Sequence, residues 1–317
     1  MLGSVDRRRF FRWLSAGVLS AFAHGRSAKA SAERLPQSRF RTRAILLGTA
    51  GGPAPKLGRS APAAVVLVDG VAYVVDCGNG VARQMVLAGV DLKSIRHVFI
   101  THHHSDHNAD FGTLLLLAWT AGLSTPVDSW GPPPLAQMMK LFFQMSAPDI
   151  DIRIKDEARP PLEPLIHAHE VSEAGVVVKD ERVSVRCAVV HHPMVPVALA
   201  YRLDGPDRSI VFSGDTTRTD SLIALARGAD VLVHEVLYPD VYTEQAAGNA
   251  RSVAKHILES HTPVEDVGRI AQEAGVKTLV LSHFVPATSA DAERAWLPLA
   301  RKHFTGEVIL GRDLLEI

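Results

Sequence analysis

Residues 101–108 read Thr-His-His-His-Ser-Asp-His-Asn and follow the apolar run Val98-Phe99-Ile100. Within them lies a His-x-His-x-Asp-His pattern made of His102, His104, Asp106 and His107. Imidazole nitrogens and a carboxylate oxygen suit zinc and similar divalent ions. On an extended segment His102 and His104, two residues apart, point to the same side. Where the chain turns toward a helix, Asp106 and His107 swing to a neighbouring position. One short loop can therefore begin two adjacent metal sites.

Such a loop needs strands to carry it and further strand ends to meet it. In the first half, β-rich runs fall at 44–47, 64–68, 71–75 and 97–100, and Asp69-Gly70 between two of them signals a hairpin. Gly48-Thr49-Ala50-Gly51-Gly52-Pro53 lacks a following Gly-Lys-Ser/Thr and is read as a tight loop at the rim of the site, not a nucleotide loop. Helices are expected at 81–88, closed by Gly89, and at 110–122. Residues 125–175 read as a Pro-rich, irregular insert with a Met/Phe helix at 135–145, serving either as core or as the wall of an apolar pocket. The second half repeats the strand-then-helix logic, with runs at 176–178, 183–190, 199–203, 209–212, 231–234 and 278–281. Thr262-Pro263-Val264-Glu265 reads as a capping box opening a helix at 262–274 that Gly275 stops. Two similar halves of strands and helices suggest two sheets packed together and covered by helices outside.

The 317 residues are 47% hydrophobic, enough for a sizeable core. Asp6-Arg7-Arg8-Arg9-Phe10-Phe11-Arg12, an apolar stretch from Trp13 to Ala23 and Ala28-Lys29-Ala30 fit a twin-arginine signal peptide over 1–30, too short for a membrane span. Residues 31–42 read as a linker, and 43–317 as one large domain. The leader holds six of the 34 Lys and Arg and one of the 34 Asp and Glu, so the remainder carries a formal net charge of −5. With no basic block left, no nucleic-acid partner is expected. Cys77 and Cys187 both sit in apolar runs and are expected to be buried free thiols.

The sequence resembles the metallo-β-lactamase superfamily, and within it the tRNase Z and arylsulfatase-like branch. The resemblance rests on His102-x-His104-x-Asp106-His107, on His191-His192-Pro193 with Tyr201-Arg202, on Ser213-Gly214-Asp215-Thr216, and on Leu281-Ser282-His283. It implies an α/β (α+β) fold, a four-layer αββα sandwich with a dinuclear site at one edge. It also implies a ligand set: His102, His104 and His192 for one ion, Asp106, His107 and His283 for the other, and Asp215 shared. Spacing to Tyr201-Arg202 favours His192 over His191. Val233-His234-Glu235 and Ser260-His261-Thr262 resemble segments in which a Glu orients a proton-donating His, here Glu235 and His261. Asn108 and Asp110 are expected to hold ligand rings in place, and His103 is expected to be no ligand. His167-Ala168-His169 is read as a strand.

Two divalent ions lower the pKa of a shared water toward neutrality. Zinc is the first expectation, although these ligands also accept manganese or iron. No Gly-x-Ser-x-Gly elbow and no dinucleotide fingerprint is present, so metal-assisted hydrolysis remains. With export by the twin-arginine machinery and no basic tRNA-clamping arm, the reading is a periplasmic or secreted hydrolase of small anionic esters, arylsulfatase-like or phosphodiesterase-like. In that reading Asp106, His261 and Glu235 are the catalytic residues. The alternatives are a tRNase Z-type 3′-tRNA endoribonuclease, a lactonase or β-lactamase-type hydrolase, and a non-catalytic secreted metal-binding protein. No stable membrane anchor is expected, and a homodimer is left open.

Overall fold

The computed structural model describes residues 40–243, 249–287 and 294–317. The expected signal peptide and most of the expected linker lie outside the described residues.

Hydrophobic alternation explains the layers. A strand exposes successive side chains on opposite faces, so a strand apolar on both faces must be covered twice. Strand β2 (Ala63–Val68) is buried throughout. It sends Val65 and Leu67 to an outer core and Ala64, Val66 and Val68 to a central one. Strand β11 (Val231–Leu237) does the same in the other half, with Leu232 and Val236 outward and Val231 and Val233 inward.

The first sheet contains β1 (Thr42–Gly48), β2, β3 (Val71–Val75), β4 (Ile95–Phe99), β5 (Val127–Gly131), β6 (Ile166–Glu170) and β14 (Leu315–Glu316), in the order β14-β1-β2-β3-β4-β5-β6. The second contains β7 (Gly175–Lys179), β8 (Ser184–Val190), β9 (Ala198–Asp204), β10 (Ser209–Phe212), β11, β12 (Thr278–Val285) and β13 (Glu307–Leu310), in the order β13-β12-β11-β10-β9-β8-β7. The central core lies between them and joins Val66, Tyr73 and Phe99 to Leu199, Tyr201 and Val280.

Helices cover both outer faces. Helices α1 (Val81–Leu87), α3 (Phe111–Thr120) and α4 (Leu135–Asp156) lie over the first sheet, and the one-turn α2 (Ser105–Asn108) carries Asp106 and His107. Helices α5 (Asp220–Ala226), α8 (Val264–Ala274) and α9 (Trp296–Arg301) cover the second. Helices α6 (Asp240–Thr243) and α7 (Asn249–Ser260) stand between β11 and α8 in the chain. This is the expected αββα sandwich. Among the described residues no helix is long and apolar enough to cross a membrane.

Several local expectations hold. Asp69 and Gly70 both take positive φ, 49° and 82°, as a tight hairpin with this dipeptide requires. Cys77 and Cys187 are buried and unbridged. Residues 166–170 do form a strand, in which His169 Nε2 meets Asp128 Oδ1 across the ladder at 2.7 Å.

Others are corrected. Residues 125–175 are not irregular: β5 and β6 extend the first sheet, and α4 runs through Pro148 for 22 residues. The prolines at 132–134 precede the helix instead of interrupting it. Its buried Leu135 and Met139 face the core and Phe142 lies half-buried against Gly112, while Met145 is exposed, so the Met/Phe stripe packs into the core only in part. The capping box is also absent. The Thr262 hydroxyl donates to the Thr216 carbonyl at 2.6 Å, and Glu265 pairs with Lys302. Both side chains are committed to tertiary partners and so do not cap α8.

Candidate metal centre

Every residue of the implied ligand set reaches one end of the sandwich. The 102–107 segment follows β4, His192 follows β8, Asp215 follows β10, and His283 lies within β12. His102 Nε2 and His192 Nε2 lie 3.0 and 3.2 Å from His104 Nδ1. Beside them, Asp215 Oδ2 lies 3.3 Å from His107 Nε2, 3.2 Å from His283 Nε2 and 3.9 Å from His102 Nε2. Asp106 Oδ2 lies 3.7 and 3.5 Å from the same two nitrogens of His107 and His283.

These spacings test whether the residues fit metal ions. Four ligands about 2.0–2.1 Å from a tetrahedral zinc stand roughly 3.3 Å apart. The two groups have that spacing, and one carboxylate oxygen, Asp215 Oδ2, belongs to both. Its other oxygen, Oδ1, is buried and has no hydrogen-bond partner. Ring nitrogens and carboxylates converging out of water, with little else to satisfy them, match a pair of cations. The donor set fits two divalent ions, the first at His102, His104 and His192, the second at Asp106, His107 and His283, with Asp215 between. His191 is exposed and outside the group, so His192 is the histidine the fold delivers.

Charge in the cluster follows from burial and neighbours. Burial holds His102 well below the ordinary histidine value, with His107 adding to the effect. Burial likewise lowers His192, to about 3. Neutral imidazoles are the form a metal needs. For Asp215 burial opposes ionisation, but His283 and His107 overcome it and hold the carboxylate well below its usual range. Asp106 is also lowered: burial raises it, and His107 and His283 more than offset that.

The surrounding backbone fixes these rings. Asp76 Oδ2 meets His107 Nδ1 at 2.8 Å and accepts from the Thr101 hydroxyl at 3.0 Å, while Thr101 Oγ1 lies 3.1 Å from His102 Nδ1. With Nδ1 engaged, each ring presents Nε2 to the centre. Sequence reading missed Asp76. The available signal was its place at the end of β3, the parallel neighbour of β4. The residues expected in that role serve elsewhere. Asn108 contacts His103 Nδ1 at 3.0 Å, and Asp110 Oδ2 accepts from the Gly80 N–H at 2.6 Å. His103 turns to the Pro132 carbonyl, 2.7 Å away, and is not in the cluster.

The Gly-rich loop is at the rim as expected, and its glycines have a steric reason. The Gly52 N–H donates to Asp106 Oδ2 at 3.0 Å. A Cβ on Gly51 would stand 2.6 Å from Val285 Cγ2, 2.7 Å from the Phe284 carbonyl and 3.0 Å from His283 Cε1. His283 itself has φ 45°, at the point where the β11–β12 register shifts. The bulge turns this side chain to the site while its neighbours keep the ladder.

Glu235 and His261 meet at the edge of the cluster. Glu235 Oε1 accepts from the Thr262 N–H at 2.6 Å, and Oε2 lies 3.3 Å from His261 Nδ1. That Nδ1 is also 3.9 Å from Asp215 Oδ2. Burial lowers the His261 pKa, but Glu235 and then Asp215 outweigh it and raise it to about 9. A cavity of about 410 Å³ opens over the centre, lined by His104, Asp106, Asp215, His261 and His283 on one side and by Tyr242, Val253, His256 and Ile257 on another.

Comparison with known proteins bears on the rest. A family profile described as "Beta-lactamase superfamily domain" matches residues 72–284. Ribonuclease Z of Mycobacterium bovis (strain BCG / Pasteur 1173P2) is 35% identical over 272 residues, covering 85% of this chain and 95% of that protein. Ribonuclease Z of Mycobacterium marinum shows the same identity and coverage. The short form of human tRNase Z superposes with a TM-score of 0.66 at 22% identity, covering 87% of this chain and 98% of the other, a likeness of fold.

Two expectations are overturned by these relatives. The small anionic ester, arylsulfatase-like or phosphodiesterase-like, gives way to ribonuclease, the activity in these relatives' names. The expected lack of a nucleic-acid partner fails on the same finding. Net charge misled because it averages the whole surface, whereas phosphate meets only the residues beside the site. The fold, the ligand-capable clusters and this similarity are those of a metal-dependent hydrolase, and the chain belongs to the metallo-β-lactamase superfamily, in its ribonuclease Z branch.

Proposed function

We propose that this protein is a metal-dependent endoribonuclease that cleaves a phosphodiester bond at the 3′ side of tRNA. The single observation that carries the reading is 35% identity to Ribonuclease Z across 95% of that protein's length. It is supported by seven converging side chains, Asp215 among them.

When bound, a pair of divalent ions, zinc in this reading, supplies Lewis acidity and lowers the pKa of water. The chain's own residues do the rest. His102, His104 and His192, with Asp106, His107 and His283, would hold the ions, and Asp215 lies within reach of both groups. Asp76 and Thr101 lock the rings of His107 and His102, so that little reorganisation accompanies reaction. Asp106 acts through its place in the cluster, where Gly52 fixes it. His261 holds a proton at the cavity wall and delivers it to the departing ribose oxygen. Glu235, tied to the Thr262 amide, orients that ring and favours its protonated form.

The surface beside the centre suits a polyanion. The loop at 52–56 lines both the cavity over the site and a second of about 230 Å³ that contains Lys56, Arg59 and Arg83. Basic side chains there give phosphate-backbone contacts a local source despite the acidic total.

The test is cleavage of a tRNA transcript with a 3′ extension by zinc-loaded, full-length protein. Accumulation of one discrete tRNA-sized product is expected. An intact transcript at stoichiometric enzyme, with two metals bound per chain, would overturn the reading.

A further inference from the structure

Helix α7 brings a second histidine to the cavity that the metal set and the acid role do not use. His256 lines the cavity wall. Its ring centroid lies 6.0 Å from that of His192 and 6.2 Å from that of His104. Among the described residues His256 joins none of the groups of converging ligand atoms, yet it is within reach of a group resting on these rings. The Ser260 hydroxyl, one helical turn on, lies 3.2 Å from His256 Nδ1. Ser260 is fully buried, so this contact anchors an otherwise exposed ring. In the tautomer in which the serine hydroxyl donates to Nδ1, the imidazole proton sits on Nε2, which is then a donor.

Two histidines thus leave the end of one helix for one cavity, each with its own partner. His261 is buried and tied to Glu235. His256 stands over the half of the centre built from His104 and His192, with Ser260 behind it. We propose that His256 is a further substrate-contacting residue, whose Nε2–H donates to a non-bridging oxygen of the phosphate group held over His104 and His192. The substrate reading above supplies the source of that phosphate, and the contact itself requires only a tetrahedral anion.

Inorganic phosphate separates the two claims. Zinc-loaded full-length protein is titrated with it by calorimetry, as wild type, His256→Ala, His256→Gln and Ser260→Ala. Metal content is measured on each. Two metals per chain are expected throughout. Loss of a charge-assisted hydrogen bond should raise the phosphate Kd about tenfold in His256→Ala. His256→Gln, which keeps a donor, should recover most of the affinity, and Ser260→Ala should fall between. An unchanged Kd in His256→Ala, or no phosphate binding by wild type, overturns the assignment. Loss of one metal in that variant also overturns it, because it makes His256 a ligand. If the phosphate results come out as expected and extended tRNA stays uncut, the substrate reading falls and the His256 contact stands.

Discussion

The two halves of the metal centre are built differently. In the half made by Asp106, His107 and His283, each side chain is braced from behind. The Gly52 amide holds Asp106, Asp76 holds His107, and a bulge closed by Gly51 places His283. All three are buried. The half made by His102, His104 and His192 is looser. His102 leans on Thr101, His192 Nδ1 has no hydrogen-bond partner, as is also true of His283 Nδ1, and His104 is only half-buried at the cavity mouth. One half is held mainly by backbone and carboxylate braces and the other mainly by its own rings, and both reach the cavity, through Asp106 and His283 on one side and His104 on the other. Preorganisation is thus concentrated in one half, while both stay open to the space above them.

Substitutions can break or sharpen that contrast. Asp215→Ala removes the one group common to both halves, so metal content should drop from two per chain to one or none by elemental analysis. Hydrolysis should fall to the background of the metal-free chain. Retention of two metals would disprove the shared role. His261→Ala should leave both halves loaded and still reduce turnover by about 10²–10⁴-fold. An unchanged rate would remove His261 as the proton donor. Asp76→Ala should act directly on the half that holds His107, weakening its metal by about 10–100-fold, and only through Thr101 on His102. Competitive chelator titration would show one strongly and one weakly affected step, and equal weakening of both would refute the distinction. Gly51→Ala pushes a methyl against the Phe284 backbone and should cost about 1–3 kcal/mol in denaturant unfolding. Gly52→Ala meets no atom within 4 Å, although its φ of 85° strains it, and so isolates the steric part.

The same contrast explains what could be read in the sequence. His102, His104, Asp106 and His107 lie within six residues, so their chemistry survives without knowledge of the fold. Apolar periodicity likewise gave the two covered sheets. Asp76 was not legible, because its partner His107 is 31 positions away and only the parallel β3–β4 pairing joins them. Gly51 was seen as a loop residue, but its crowding against His283 is a contact between distant segments. Helix α4 was underestimated because Pro148 and the prolines before it read as interruptions, whereas Leu135, Met139 and Ile150 pin its buried face. The similarity to a ribonuclease was not foreseen from charge, because formal charge has no position, while Lys56, Arg59 and Arg83 do.

The bulged position of His283 in β12 has a wider meaning when set beside His107, which follows β4. These two rings come from different sheets, and their Nε2 atoms stand 3.2 Å apart. An ion seated between them clips one layer of the sandwich to the other at its open end. Loading should therefore delay unfolding of both layers together, by about 4 kcal/mol at a thousandfold excess over Kd, and a chelator should let the layers part at a lower temperature.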